Sequence, residues 1–181
     1  MNIKILIKNF FRKILWFEII GQKIDFRESN TKFLIIKNKD DFLKLFNFKN
    51  YDKYLMHKIK RFSNKNVICY ILIEENSVAS IAWSIWDNQF FFDEINKLYQ
   101  FEGKKLILYD IETLKEFRGK GYYKLVYKNI INANIGLSIG TFSLPSNYIS
   151  IKGIKSAGFV KKHIFYNDYS IHNFLKKIIK K

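Results

Sequence analysis

Cysteine is almost absent from this sequence. Cys69 is the single cysteine among 181 residues, so no disulfide bond can form within the chain. It lies in an apolar run from Val67 to Ile71, where a small buried thiol is the usual interpretation. The three histidines lie far apart and have no cysteine at metal-ligand spacing: His57, His163 and His172. A metal site is therefore not expected.

Proline and long apolar runs are scarce as well. Pro145 is the only proline, and no stretch rich in glycine and serine divides the chain, which predicts one domain with a small appendage. Residues 2–20 mix apolar residues with lysine, arginine and glutamate, which breaks the run of roughly 18 apolar residues that a spanning helix needs. No small-residue cleavage site follows, so we expect a cytoplasmic protein without a secretory signal. The same pattern predicts an amphipathic helix that packs on the domain or lies on a membrane or partner.

Acidic residues are also few. The chain has 16 aspartates and glutamates against 32 lysines and arginines, a formal net charge of +16. Such an excess favours nucleic acids, phospholipid surfaces or phosphate-bearing small molecules as partners. The lysines are spread along the whole chain, however, and this distribution serves solubility equally well. No nucleic-acid-binding motif is present, so nucleic acid is not an expected partner.

Apolar and aromatic runs predict the strands and helices. Residues 33–36 are predicted to form a strand, and Asp40 and Asp41 to cap the helix that follows. Two β-branched and aromatic runs, 66–74 and 77–87, are separated by Glu75-Asn76 and predict a hairpin. Further strands are predicted at 105–113, 137–142 and 160–166, with helices ending near 133 and spanning about 147–157. The order β-α-β-β-β-α-β-α-β indicates an α/β fold with a mixed sheet.

One segment combines the features of an anion site. The strand 106–113 leads through Arg118-Gly119-Lys120-Gly121 into a helix. The glycines let the backbone turn sharply and approach a ligand closely. The N–H groups at the helix N-terminus, with the positive end of the helix dipole, point towards a phosphate. A basic surface turn before any helix has the same appearance, so this segment alone leaves a purely structural role open.

A second segment, downstream, matches a family together with the first. Residues 118–123, Arg-Gly-Lys-Gly-Tyr-Tyr, resemble the Arg/Gln-x-x-Gly-x-Gly/Ala motif of the GNAT superfamily of acyl-CoA-dependent N-acyltransferases. The family's later segment, Asn-x-x-Ala/Ser-x-x-x-Tyr-x-x-x-Gly-Phe, is similar to residues 147–159 here, with Asn147, Ser150 and Gly158 at the family's spacing. The resemblance covers roughly residues 32–166. It implies a mixed, mostly antiparallel twisted sheet flanked by helices at 32–181, preceded by an amphipathic extension at 1–31.

The resemblance also implies which residues bind the acyl donor, acetyl-CoA. The main chain from Ile111 to Thr113 would pair with the pantetheine arm as an added strand. Asn147 would lie near the acyl end of the donor, although a helix N-cap after Pro145-Ser146 is an equally natural role. The pyrophosphate would lie in the loop at the helix start, formed by Arg118, Gly119, Lys120, Gly121, Tyr122 and Tyr123.

Two positions depart from the family pattern. Tyr123 replaces a small residue at the end of the loop motif, so its ring must point away from the phosphates or line the pocket. Ile154 stands where the family has the tyrosine that protonates the departing thiolate. That proton must come from water or another group, and Tyr148 and Tyr166 are the alternatives that the spacing does not separate.

Asp110 and Glu112 are the candidate catalytic residues. Side chains alternate along a strand, so the two carboxylates are expected on one face of the strand that enters the cofactor cleft. Attack of a neutral amine on a thioester needs a base for the amine proton and an anchor for the ammonium. We expect Glu112 to be the base and Asp110 the anchor. A salt bridge from these carboxylates to nearby lysines is the alternative.

These features together predict transfer of an acetyl group from acetyl-CoA to a primary amine. An amino-sugar nucleotide for surface polysaccharide is slightly favoured as the acceptor, because aromatic residues stack on sugar rings and lysines attract a diphosphate. Protein N-termini, lysine side chains and small amines stay open. An inactive CoA-binding module is the alternative that Ile154 raises. The basic, partly apolar termini, 2–20 and 174–181, favour peripheral contact with anionic lipid at the inner face of the membrane.

Overall fold

The computed structural model describes residues 12–25, 30–45 and 57–167. Its strands are β1 (Lys13–Ile20), β2 (Thr31–Ile36), β3 (Val67–Glu74), β4 (Ser77–Phe92), β5 (Lys97–Thr113), β6 (Ser138–Ser143) and β7 (Val160–Tyr166). Its helices are α1 (Lys39–Leu45), α2 (Tyr122–Ala133) and α3 (Tyr148–Ser156), and short 3-10 turns span Lys60–Ser63 and Lys115–Phe117.

The seven strands of the described residues form one sheet in the order β2-β3-β4-β5-β6-β1-β7. Neighbouring strands are antiparallel except β5 and β6, which run parallel. Helix α2 packs across β3, β4 and β5, and α3 packs against α2 and β6. The predicted α/β class with a mixed, mostly antiparallel sheet is therefore confirmed.

The amphipathic helix predicted for residues 2–20 is wrong for residues 13–20. These residues form β1, which lies between β6 and β7 and pairs with both. Trp16 and Phe17 are fully buried in different core clusters, because adjacent residues of a strand point to opposite faces of the sheet. Short apolar runs do not distinguish helix from strand, and here pairing with two strands decides. Residues 2–11 lie outside the described residues, and so does the basic end, 174–181.

Strands β4 and β5 extend well beyond the predicted ends at residues 87 and 105. They continue as a hairpin to Phe92 and from Lys97, interrupted by a register shift after Asp87. Asp87 and Gly103 resemble turn residues in the sequence but lie at this irregularity. The extension is held by Phe92, which is fully buried beside Trp16. The β3–β4 hairpin is confirmed, with positive φ at both turn residues, Glu75 (47°) and Asn76 (63°).

Helix α1 is capped by Asn38 and not by Asp40 or Asp41. The Asn38 side chain accepts a hydrogen bond from the Asp41 N–H at 2.9 Å. The two aspartates instead occupy the first turn, where the positive end of the helix dipole stabilises their negative charge.

Helix α2 covers the part of the sheet where the site lies. Its buried face packs on Phe17, Tyr70, Leu106 and Leu108 of the strands beneath. The members of that face recur at helical spacing: Tyr122, Val126, Tyr127, Ile130 and Ile131. This packing fixes the start of α2 relative to the end of β5.

Candidate active site

The parallel pairing between β5 and β6 stops partway along the strands. It covers residues 106–108 of β5 and 139–141 of β6, and ends at Leu108 and Thr141. Just beyond, β5 has a bulge in which Asp110 and Ile111 lie opposite Ala82, and Asp110 has a φ of 46°. Bulges bend a strand and redirect its side chains. Among the described residues, the β5 backbone from 109 to 113 therefore faces a cleft on the β6 side.

The loop between β5 and α2 has the geometry expected of an anion site. Gly119 and Gly121 have φ values of 80° and 87°, and a Cβ on either would meet no atom within 4 Å. Gly121 is the N-cap residue of α2, and no side chain caps this end of the helix. The first N–H groups of α2 have no acceptor within the helix, so the positive helix end faces open space.

A cavity of about 650 Å³, here called the loop cavity, lies against this loop. Every predicted donor-binding residue lines it except Lys120, whose ammonium lies 5.4 Å from the centre of the Phe117 ring. The Arg118 Nε donates a hydrogen bond to the Thr113 carbonyl at 3.0 Å, which orients the guanidinium at the cavity wall. The lining residues are Ile111, Glu112, Thr113, Phe117, Arg118, Gly119, Gly121, Tyr122, Tyr123, Asn147, Ile149 and Ser150.

A second cavity of about 430 Å³, here called the hairpin cavity, lies under the far end of the β4–β5 hairpin. In the part of the chain that the structure describes, its wall has one cationic residue, Arg61, and three carboxylates, Asp93, Glu94 and Asp110. Four aromatic side chains form much of the remaining wall: Phe90, Phe91, Tyr109 and Phe142. The two cavities meet, because four residues line both: Ile111, Tyr123, Asn147 and Ser150.

No protein-family model and no curated protein sequence matches this chain, but solved structures do. A functionally unknown protein from Staphylococcus epidermidis matches with a TM-score of 0.57 and 9% identity, over 84% of this chain and 58% of that one. A candidate GNAT acetyltransferase from Novosphingobium aromaticivorans matches with a TM-score of 0.52 and 14% identity, over 84% of this chain and 61% of that one. The aminoglycoside N-acetyltransferase AAC(6')-Iy, in complex with CoA, matches with a TM-score of 0.52 and 16% identity, over 75% of this chain and 97% of that one.

This chain has the GNAT fold. The prediction made from the two sequence motifs is confirmed at the level of the fold, which is what likeness at these identities shows. The chain spans about three fifths of the length of the first two structures, 58% and 61%. None of the helices in the described residues is long and apolar enough to cross a membrane.

Asp110 and Glu112 lie on different walls of this GNAT cleft. Asp110 lines the hairpin cavity and Glu112 the loop cavity. The ammonium of Lys58 nevertheless joins the two carboxylates, at 3.1 Å from Asp110 and 3.5 Å from Glu112. The salt bridge to a lysine, which the sequence left as an alternative, is therefore present.

Asp110 is held in its charged form. Burial alone raises the pKa of this carboxyl, but Lys58 and Arg61 outweigh that effect and hold the pKa below its usual range. The Arg61 Nη1 lies 2.7 Å from the Asp110 carboxylate, and its guanidinium lies over the rings of Trp83 and Tyr109. A carboxylate with a lowered pKa is a weak base, but it anchors a cation over a wide pH range.

Asn147 has the N-cap role and also lines the cleft. Its Oδ1 accepts a hydrogen bond from the Ser150 N–H at 3.1 Å, at the start of α3. Ile154, one turn further along, is fully buried in the core and lines neither cavity. Tyr148 and Tyr166 do not line the cavities either, and Tyr148 is 78% exposed.

Tyr123 lines the cleft, which is one of the two orientations that the sequence allowed. Its hydroxyl lies 2.8 Å from Ser150 Oγ and 3.4 Å from the Tyr127 hydroxyl. The Tyr127 hydroxyl lies 3.2 Å from Thr141 Oγ1, so four hydroxyl groups form a continuous chain. Burial raises the pKa of Tyr127 well above its usual value, which keeps this phenol protonated.

Sequence reasoning missed Arg61, Asp93 and Glu94 of the hairpin cavity, and Lys58 beside it. Asp93 and Glu94 read as ordinary turn residues, because the strands on either side of them were not predicted to extend so far. Lys58 and Arg61 are two cations among the 32 in the chain, and no spacing distinguishes them. Lys58 differs from the exposed lysines of the chain in being buried, at 4% exposed. A lysine is seldom buried unless a carboxylate pairs with it, so this burial indicates carboxylates nearby.

Proposed function

We propose that this protein is an N-acyltransferase that moves an acetyl group from acetyl-CoA to a primary amine. The observation that carries the proposal is a pair of cavities that meet at four residues and differ in electrostatic character. One lies against an uncapped helix N-terminus and suits a phosphate, and the other has an acidic wall and suits an amine. Direct transfer between two substrates needs such a junction, because the amine must reach the thioester carbon.

The residues of the loop cavity fit coenzyme A. The loop from Arg118 to Gly121 offers main-chain N–H groups and one guanidinium to the pyrophosphate. Its two glycines leave the backbone accessible, because no side chain stands between the backbone and the ligand. The β5 main chain around Ile111 lies beyond the end of the β6 pairing and can pair with the amides of the pantetheine arm, whereas the Thr113 carbonyl accepts from the Arg118 Nε. Apolar side chains such as Ile149 cover the remaining wall. Coenzyme A supplies the activated thioester, and these groups bind and orient it.

The charge of the hairpin cavity favours a cationic acceptor. Among the described residues, Asp110 is paired with Arg61 and Lys58, and Asp93 and Glu94 give this wall its acidic character in a chain of net charge +16. An ammonium group is attracted to such a wall, and aromatic side chains such as Phe90 and Tyr109 pack against an apolar or sugar-like body.

The amino-sugar nucleotide favoured by the sequence needs cations for its diphosphate. Among the residues that the structure describes, Arg61 is the one cationic residue on the wall of the hairpin cavity, and it is paired with Asp110. Within the proposal, an amino sugar or polyamine without a phosphate group is therefore the better acceptor.

Asp110 and Glu112 have separate roles in the proposed reaction. Asp110 is ionised on the hairpin-cavity wall, Arg61 and Lys58 contact its Oδ2, and its Oδ1 is the oxygen that anchors the acceptor's ammonium in this proposal. Glu112, on the loop-cavity wall beyond Ile111, receives the proton that the amine must lose before it attacks. Lys58, which contacts both carboxylates, supports their negative charge in this half-buried position.

A free-thiol release assay with acetyl-CoA tests the proposal. The full chain is incubated with a polyamine, a free amino sugar, a nucleotide-linked amino sugar, and a peptide with a free N-terminus. We expect thiol release that depends on the amine and is fastest with the phosphate-free cationic acceptors. CoA binding in calorimetry without turnover on any amine would instead identify an inactive CoA-binding module. Absence of both would contradict the proposal altogether.

A further inference from the structure

Breaking a thioester leaves a thiolate that must gain a proton, and the source of that proton is a separate question from donor binding. The group has to lie where the two cavities meet, because the reacting carbon and its sulfur lie there. Four residues line both cavities, and among them Tyr123 and Ser150 carry an O–H group. The apolar Ile154 is excluded, because its side chain is in the core.

Tyr123 reaches the junction from the first turn of α2, and a glycine on α3 makes room for it. A Cβ built on Gly153 would lie 2.6 Å from Cε1 of the Tyr123 ring, well inside contact distance. The ring therefore lies directly on the α3 backbone. Most residue types at position 153 would push the phenol out of this position.

The hydroxyl of Tyr123 is positioned to be reprotonated. It is within hydrogen-bond distance of Ser150 Oγ at 2.8 Å, while the Tyr127 hydroxyl lies 3.4 Å away on its other side. The Tyr127 phenol is fully protonated and can donate towards Tyr123. Ser150 is half-buried and lines both cavities, so it connects the pair to solvent.

We propose that Tyr123 donates the proton to the departing thiolate, from α2 instead of from α3. This inference depends on the proposed acyltransferase function. In the reaction the amine nitrogen forms a bond to the acyl carbon, the carbon–sulfur bond breaks, and sulfur leaves with the electron pair and takes the Tyr123 proton. The phenolate then regains a proton from solvent through Ser150. The proton lost by the amine leaves separately through Glu112.

The first test compares Tyr123→Phe, which keeps the ring, with Tyr148→Phe, which removes an exposed hydroxyl outside the cavities. We expect Tyr123→Phe to bind CoA within about twofold of wild type and to lose roughly 10²-fold in kcat. Tyr148→Phe should match wild type. An unchanged kcat, or a loss of CoA affinity as large as the loss of kcat, would overturn the inference.

A second measurement does not depend on turnover. The thiol of bound CoA is titrated by its ultraviolet thiolate absorbance, and a hydrogen bond from Tyr123 should stabilise the thiolate. We expect the bound thiol to titrate at a pH about one unit higher in Tyr123→Phe than in wild type. Equal titration in the two proteins would overturn the role of Tyr123. If the thiol titration differs but no amine is acetylated, the proposed function fails and the contact of Tyr123 with sulfur stands.

Gly153→Ala provides a variant that keeps every hydroxyl. The added Cβ displaces the Tyr123 ring, whereas alanine is a better helix former than glycine and leaves α3 intact. We expect kcat to fall about tenfold or more with CoA binding retained. Wild-type kcat in Gly153→Ala would contradict the requirement for a precisely placed phenol.

Discussion

At the scale of single residues, Arg118 is the cationic side chain that lines the loop cavity. Its Nε is used in a hydrogen bond to the Thr113 carbonyl, so the two remaining guanidinium nitrogens are the groups that can face a phosphate. Lys120, by contrast, lies over the Phe117 ring and outside the lining. The sequence assigned both side chains to the phosphate, and the geometry favours Arg118.

The first prediction concerns salt. CoA affinity should weaken as ionic strength rises, because part of the binding energy is an attraction between exposed charges. Arg118→Ala should lower the affinity and flatten this dependence, whereas Lys124→Ala, on an exposed position of α2, should leave the slope unchanged. Calorimetric titrations at several salt concentrations measure both. A wild-type affinity that does not change between low and physiological salt would count against this role.

The second prediction concerns the two carboxylates. Asp110→Asn and Glu112→Gln should each retain CoA binding, because neither group is expected to contact the phosphates. Asp110→Asn should raise KM for a cationic acceptor, and Glu112→Gln should lower kcat by roughly 10²-fold and move the pH optimum upward. Steady-state kinetics over a range of pH separates the two effects. Wild-type rates in both variants would mean that the amine proton leaves through water alone.

The lowered pKa of Asp110 sets the sign of a pH effect within this prediction. The carboxylate stays ionised as the pH falls through the usual range of an aspartate, so attraction of the acceptor persists there. It is lost only when the pH falls through the lowered pKa. In Asp110→Asn this part of the pH dependence of KM should be absent.

At the scale of elements, the β4–β5 hairpin supplies the acidic wall. Phe92 anchors it in the core, and Asp93 and Glu94 lie at its turn, on the wall of the hairpin cavity. The hairpin thus joins a rigid sheet to the acceptor side of the cleft. Changes in these turn residues should alter acceptor recognition without altering donor binding.

The third prediction follows from this position. The double variant Asp93→Asn, Glu94→Gln should raise KM for a cationic amine about tenfold, because the wall loses two of its three carboxylates. Affinity for CoA should not change. Glu102→Gln, an exposed position of β5 outside both cavities, is the control and should match wild type. Equal KM values in all three proteins would mean that the acidic wall takes no part in acceptor recognition.

These elements could be predicted from the sequence where the residues that determine them are neighbours in the chain. The glycine loop before α2, the β3–β4 turn and the Asn147 cap are local, and each was predicted at the correct residues. β1 was predicted as part of an amphipathic helix because residues 2–20 mix apolar with charged residues, and only pairing with β6 and β7 makes it a strand. The hairpin cavity needs contacts between distant segments, such as Arg61 with Asp110, which no spacing reveals.

At the scale of the whole molecule, the chain combines a strong positive charge with one acidic cavity. Under the proposed function, the net charge of +16 attracts an anionic donor such as acetyl-CoA from a distance, and the carboxylates of the hairpin cavity select a cation locally. In that proposal, the two substrates meet at the split between β5 and β6. These features support a transferase that binds an anion and a cation side by side.

Binding of CoA at the loop tests this account most directly, and the chain offers a matched control. Gly121 and Gly103 have similar positive φ values, 87° and 73°, and a Cβ on either meets nothing within 4 Å. Valine at either position therefore carries the same kind of backbone strain, about 1–3 kcal/mol. Gly121 lines the loop cavity and Gly103 lines neither cavity.

The measurement is a calorimetric titration of CoA into wild type, Gly121→Val and Gly103→Val, each checked for folding by thermal unfolding. We predict that wild type and Gly103→Val bind CoA with similar affinity, while folded Gly121→Val does not bind it, because the valine fills the space where the backbone meets the phosphates. Absence of CoA binding by wild type, or undiminished binding by Gly121→Val, would contradict the account.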